Sequence, residues 1–293
     1  MDAPYPQTRS QSGFLLEQGS RGVGEILAAL ESPQFDHVVF RAISRLVQID
    51  STVTFAYRRH SRPLILGCVV EDPYKRVMVD DYISGPYLLD PFFHAALTGT
   101  RSGCYHLSSF APDHFRQSEY YRKHYHRTQI GEEIGFFFEL PDHVTGVLSV
   151  VRWRQHSSIS RPEFSVLQAI EPALRAIFIK RWRDASKRMD KPGGIEDEQG
   201  ALGNEFLDNF KSFGGSQLSL REHQIVSLIL QGHSTESIAR QFDLSPGTVK
   251  VHRRNVYRKL GISSQAELFA AFLESMRARE VERSASYRVQ TAG

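Results

Sequence analysis

From Leu218 to Met276 the chain carries a dense series of helix start and stop signals, and no other stretch limits its fold so tightly. Ser219-Leu220-Arg221-Glu222 has the spacing of a capping box, in which a hydroxyl accepts from the amide three residues on and a carboxylate reaches back. The apolar positions Ile225, Val226, Leu228 and Ile229 follow, and Gly232 offers a left-handed stop. Ser234 starts a second short helix with Ile238, Ala239 and Phe242 turned inward, and Asp243-Leu244 makes a tight turn. Ser245-Pro246 opens a third helix, with a cap residue followed by proline at the first helical position, where its missing N–H is not needed. That helix runs to Leu260 and ends at Gly261, and Ser264 to Glu267 is a further capping box ahead of Leu268, Phe272 and Met276.

Two short helices joined by a tight turn make the helix-turn-helix shape, whose second helix enters the major groove of DNA. Val249, Val256 and Leu260 recur at helical spacing and are expected to face a small core. Thr248, Lys250, Val251, Arg254, Asn255 and Arg258 then lie on the other side. Between Ser245 and Gly261 stand five Lys and Arg residues and no acid. Composition conceals this. The 293 residues carry 36 Lys+Arg against 33 Asp+Glu, a net +3, with 41% hydrophobic and 24% charged residues. That average does not announce a nucleic-acid partner, and it excludes a polyacidic or heavily disordered chain. A solvated cationic helix on an enzyme surface is the alternative for such a run.

The residues Leu218, Arg221-Glu222, Gly232, Ser234, Ile238-Ala239, Leu244-Ser245, Thr248-Val249-Lys250, His252, Lys259-Leu260 and Glu267-Leu268 closely resemble the LuxR-type helix-turn-helix domain. The resemblance covers about a fifth of the chain and implies a four-helix domain that binds double-stranded DNA as a dimer on two half-sites. Carried over by position, it places Lys250, Val251 and Arg254 in the major groove. There a cation can pair with guanine O6 and N7, and valine can pack on a thymine methyl. Thr248, Arg253, Arg258 and the first amides of the helix would hold phosphates. His252 is expected to face the core or the backbone.

Upstream, 33–46 has a helical apolar stripe, 53–57 and 64–70 read as strands, and 74–97 and 112–127 read as helical or irregular. Two more strands are expected at 133–140 and 144–153 around a Pro141-Asp142-His143 turn, then a long helix from Ser160, with Glu163 at the capping-box position. This order fits an α+β sensor domain, an antiparallel sheet with flanking helices, ahead of the all-α helix-turn-helix domain. The expected boundaries are 1–189 for the sensor, 190–216 for a Gly-rich linker with a short apolar island at Phe206, Leu207, Phe210 and Phe213, 217–283 for the DNA-binding domain and 284–293 for a loose tail.

The N-terminal region also resembles autoinducer-binding and GAF-like sensor domains. Tyr82, Tyr87, Asp90-Pro91 and Tyr105 match the tyrosine and Asp-Pro signature, in which an aspartate accepts from a ligand amide while aromatics wall an acyl pocket. Gly135 stands where the family also has a strand glycine. The flanking tryptophans are missing: Trp153 and Trp182 both lie far downstream, which counts against an acyl-homoserine-lactone ligand. For the same residues a packed aromatic core and a plain Asp-Pro helix start remain open. His124 and His126 point to opposite faces of a helix and cannot share one metal ion. Arg122 and Arg127 could grip an anion. From Arg161 to about Arg188, Leu167, Ile170, Leu174 and Ile177 form a seam that suits either packing on the sheet or a dimer interface, with Pro172 interrupting it.

Two cysteines without a Cys-x-x-Cys spacing, no apolar run long enough for a bilayer and a polar N-terminus point to a cytoplasmic protein with no membrane partner, metal or cofactor. The leading expectation is a homodimeric transcription regulator whose DNA binding responds to an unidentified small molecule, with RNA polymerase a candidate partner. The alternatives are control by phosphorylation or a partner protein, Asp80-Asp81 suggesting a receiver domain, and an enzymatic N-terminal domain. Against the last, the chain has no nucleophile elbow, phosphate loop or His-Glu-x-x-His motif.

Overall fold

The computed structural model describes residues 11–59, 61–190 and 213–276. Five strands form one sheet in the order β2-β1-β5-β4-β3. They are β1 (Ser51–Tyr57), β2 (Leu64–Val69), β3 (Gly103–His106), β4 (Ile130–Leu140) and β5 (Val144–Trp153). Every neighbouring pair is antiparallel, unlike the alternating parallel strands of a receiver domain. The β4–β5 hairpin turns through Pro141, Asp142 and His143, with Asp142 and His143 both at positive φ (60° and 59°).

Because side chains alternate across a strand, each strand serves two layers. Ala56, Phe136, Phe138, Leu148 and Val150 face α1 (Gln11–Ala28), α2 (Phe35–Ser44), α5 (Arg161–Arg181) and α6 (Ala185–Met189). Val53, Phe55, Tyr57, Phe137, Val147, Val151 and Trp153 face the other way, toward an aromatic layer built from 72–128. That layer holds short α3 (Asp72–Lys75), a wide turn over Arg76–Asp81 and α4 (Pro91–Leu97), then further short turns.

Several expectations change here. The α1 helix and the edge strand β3 were not expected, while 112–127, read as helical or irregular, holds two short helical turns, Phe115–Gln117 and Tyr121–Tyr125, and no long helix. The helix from Arg161 stops at Arg181, short of Arg188, because Trp182 turns into the core and stacks on Phe138 at 5.6 Å. Leu167, Leu174 and Ile177 are buried in this domain's own core, with Ile170 packed at its margin, so the seam meets the sheet layer.

Four helices follow: α7 (Leu220–Gln231), α8 (Thr235–Phe242), α9 (Pro246–Leu260) and a helix over 265–276, α10. Ser219 and Glu222 form the reciprocal capping box, and Ser234 and Ser245 cap α8 and α9. Gly232 (φ 99°), Asp243 (φ 53°) and Gly261 (φ 66°) take the left-handed conformation that ends each helix. At the last cap Ser264 accepts from the Glu267 amide, but the Glu267 carboxylate takes the amide of Ser263, one residue earlier than the expected box. Ile225, Ile238, Val249, Val256, Leu268 and Phe272 make the core. Phe213 packs edge-on against Phe272 at 5.7 Å, while Phe206, Leu207, Phe210 and most of the expected linker and tail lie outside the described residues.

Candidate DNA-binding surface and effector site

Helix α9 buries Val249 and Val256 and presents Lys250, Val251, Arg254 and Arg258 to solvent on its other face. Val251 is 45% exposed, a large apolar side chain left outside the core amid cations. Thr248 lies at the N-terminal end, its hydroxyl 2.8 Å from that of Ser245. Arg253 is placed differently. Its Nε donates to the Tyr257 hydroxyl at 3.0 Å and its guanidinium lies 5.2 Å from that ring, so it is half-buried. Lys259 is held by Glu222 at 2.6 Å and ties the end of α9 to the start of α7. Of the five cations in this helix four are exposed: Lys250, Arg254 and Arg258 without an acid partner among the described contacts, and Lys259 paired with Glu222. His252 is half-buried beside them.

In the α+β domain the structure brings Tyr82 and Asp90 together. The Tyr82 hydroxyl donates to Asp90 at 2.6 Å and lies 2.8 Å from that of Tyr57. Asp90 is also the N-cap of α4, accepting from the Phe92 amide at 2.8 Å, with Pro91 at the first helical position. The Asp-Pro pair is therefore a helix start and a buried polar centre at once. Tyr87 packs near Tyr82, ring centres 6.2 Å apart. Tyr105 lies apart: its ring meets Phe110 and Phe137, and its hydroxyl donates to the Arg101 carbonyl. A Cβ on Gly135, which sits within β4, would come 2.8 Å from Phe92, so that strand position has no room for a side chain.

Residues not expected at this site complete the layer. Glu133 accepts from the Tyr125 hydroxyl at 2.6 Å and from Ser149. Tyr120 stacks on His124 at 5.4 Å, and Trp153, far downstream in sequence, packs on Tyr74 at 4.9 Å. Strand alternation was the available signal for Glu133, since it separates Glu132 from Glu133 once β4 is in register. Burial, and then the charge of Glu133, raises the pKa of Asp90; burial raises that of Glu133. Burial lowers His124 to about 4, so it is neutral at neutral pH, while His126 is exposed. Beside Glu133 and Tyr125 opens a cleft of about 440 Å³, bounded on its far side by the strap 106–117. Arg122 pairs with Glu119 and Arg127 approaches Asp81, so each of these cations faces an acid.

The same strap meets the helix-turn-helix. The Asp113 carboxylate accepts from the Ser234 amide at 2.9 Å and from the Ser234 hydroxyl. The His114 amide donates to the Gly232 carbonyl at 3.0 Å. Partial burial opposes ionisation of Asp113, but the two Ser234 bonds outweigh it and hold its pKa below the usual carboxylate value. A second cleft of about 310 Å³ runs along this junction.

A cationic, capped helix standing out from a small three-sided core, with a tight turn before it, defines a helix-turn-helix DNA-binding protein. Residues 216–272 match the family described as bacterial regulatory proteins, luxR family. An HTH-type transcriptional regulator of Aeromonas salmonicida, from the exeN 3′ region, is 31% identical over 188 residues, which are 64% of this chain and 94% of that protein. The chain belongs to the LuxR family of DNA-binding transcription regulators, a family of non-enzymes. Among solved structures, the VqsR LBD domain from Pseudomonas aeruginosa is similar with a TM-score of 0.49 and 24% identity, covering 55% of this chain and 94% of that one. Escherichia coli SdiA is similar with a TM-score of 0.42 and 14% identity, covering 88% and 96%. Among the described residues no helix is long and apolar enough to cross a membrane, and no group of three or more His, Cys, Asp or Glu is placed to hold a metal.

Proposed function

We propose that this regulator binds two DNA half-sites as a homodimer, and that a small molecule in the α+β domain sets its DNA affinity through the strap 106–117. Lys250, Val251 and Arg254 read base edges, and Thr248, Arg253 and Arg258 hold phosphates, Arg253 after leaving Tyr257. The reading places the protein in the cytoplasm, acting on transcription by RNA polymerase.

The observation that carries it is the Asp113–Ser234 contact. The first helix of a helix-turn-helix crosses the DNA backbone, and a helix N-terminus with its unpaired amides is a natural phosphate site. In this protein a carboxylate of the sensor domain occupies that position on α8. It takes the Ser234 amide and places a negative charge where a phosphate would approach. The strap bearing Asp113 also borders the cleft at Glu133, so a molecule filling the cleft pushes on the segment that holds the DNA-binding domain.

Asp113→Ala in the full chain tests this. A bond to an ionised group is worth about 1.5–3 kcal/mol, so effector-free DNA affinity, measured by fluorescence anisotropy at fixed salt, is expected to rise about tenfold or more, where 1.4 kcal/mol is a factor of ten. An unchanged affinity would remove the strap from the mechanism.

A further inference from the structure

We propose that the molecule bound by the α+β domain is a small organic cation, an amine or quaternary ammonium compound, held between Asp90 and Glu133 and walled by tyrosine rings. This rests on the ligand-controlled reading above and narrows it to a chemical class.

The balance of charge in the aromatic layer comes first. Asp90 is 6% exposed and Glu133 stands half-buried at the edge of the 440 Å³ cleft. Each carboxylate is met by neutral donors: Tyr82 and the Phe92 amide for Asp90, Tyr125 and Ser149 for Glu133. Among the described residues neither has a cation for a partner. Two histidines of the layer, His94 and His124, are kept neutral by their burial. The two acids are joined through one ring cluster, Tyr82 on Asp90 and Tyr125 on Glu133 with His124 packed between those rings, and without a resident counter-charge they must either keep protons or receive a cation from outside.

A second observation comes from Tyr120. It is 1% exposed and its hydroxyl has no hydrogen-bond partner. Its ring lies 5.4 Å from that of His124 and 5.9 Å from that of Tyr125, whose own hydroxyl donates to Glu133, which puts Tyr120 in the same interior region. A buried hydroxyl left unpaired costs free energy that a bound polar group would recover. The walls have matching chemistry. Tyr82 bonds to Asp90 with Tyr57 behind it, Tyr125 bonds to Glu133 with Tyr120 against its ring, and the faces of aromatic rings attract cations. A neutral acyl amide offers one N–H and leaves the second carboxylate uncompensated, and an anion is repelled by both. A compact cation answers both acids and the rings together.

The test uses full-length protein and five probes: the cations choline, ethanolamine and putrescine, 3,3-dimethylbutan-1-ol as the uncharged isostere of choline, and N-hexanoyl-homoserine lactone as a neutral amide. Binding is read by calorimetry and by the shift in Tm. At least one of the three amines is expected to bind tenfold or more tightly than the uncharged isostere and than the lactone. Glu133→Gln should cut that binding at least tenfold. Tyr120→Phe, which removes no hydrogen bond from the free protein, should weaken it while leaving the ligand-free Tm in place. Equal binding of choline and its isostere, binding of the lactone alone, no binding of any amine, or a Glu133→Gln protein that folds and binds amines as before would each overturn the proposal. An amine that binds without moving DNA affinity would sink the regulatory reading and leave the ligand class standing. A lactone that alone moves DNA affinity would do the reverse.

Discussion

Arg253 and Arg254 are adjacent in sequence and differ in situation: one is clamped on Tyr257, the other reaches solvent beside Val251. The helical step of about 100° per residue separates them, and the apolar positions Val249 and Val256 settle which side is which. This much was legible, since the exposed face of α9 matches the residues expected there. The clamp on Arg253 was not anticipated, although an aromatic four residues on is within reach along a helix. Replacing Arg254 with alanine should cost about 1–3 kcal/mol of specific binding and relax sequence preference at one base pair. Arg258→Ala should weaken all sequences alike and lower the salt slope by about 1. Anisotropy titrations on single-base operator variants at several salt concentrations separate the two, and an Arg254→Ala loss equal on every sequence would make that residue a phosphate contact.

At the scale of elements, Arg152 joins the central strand β5 to the start of α5. It is 2% exposed and donates to the Gln48 and Ser157 carbonyls at 2.9 and 3.1 Å and to Glu163 at 2.5 Å. This bond to Arg152, with those from Ser160, holds the Glu163 carboxyl down at about 2. The capping box at Ser160 and Glu163 was readable from a three-residue spacing, but its tie to Arg152 was not, because the charge arrives from a different strand. Arg152 is buried but the Glu163 side chain is 30% exposed, so losing the guanidinium forfeits a charged hydrogen bond, worth about 1.5–3 kcal/mol, rather than stranding a buried charge. Arg152→Met should therefore lower stability by that order in urea unfolding, and a loss well under 1 kcal/mol would show that the contacts contribute little. The missed elements have a similar origin. Strand β3 is only four residues long and pairs on one side alone, with β4, so little in its own sequence marks it.

On the scale of the whole molecule, pH reports on the buried acids. A carboxylate whose pKa is raised in the folded state holds its proton there more tightly than in the unfolded chain. Its contribution is complete below the unfolded value of roughly 4 and is lost as pH rises through the folded value. Asp90 and Glu133 are of this kind. His94 and His124, both lowered to about 4 by burial, act oppositely and lose stability as pH falls below roughly 6.5. A difference between two proteins cancels the histidines. The Tm of Asp90→Asn relative to the unaltered protein should rise between pH 5 and pH 8, because asparagine can still cap α4 and accept from Tyr82 but never ionises. A gap that stays flat over this range would mean that Asp90 titrates as an ordinary aspartate.

The DNA-binding end of the molecule was written locally. Each cap, turn and stop from Ser219 to Gly261 depends on residues within about four positions of one another, so their spacing in the chain carried the physics, and with it the family and the helix with the exposed cationic face. The α+β class was also visible, through strand alternation and the capping box at Ser160. The aromatic layer and its link to the DNA-binding domain depended on the folded chain. Tyr57, Asp90, Tyr120 and Glu133 come from separate elements, and sheet register decides that Glu133 belongs to the aromatic layer. Asp113 reaches Ser234 across 121 positions of sequence. No local periodicity records such a contact, because its geometry is set by the packing of two domains.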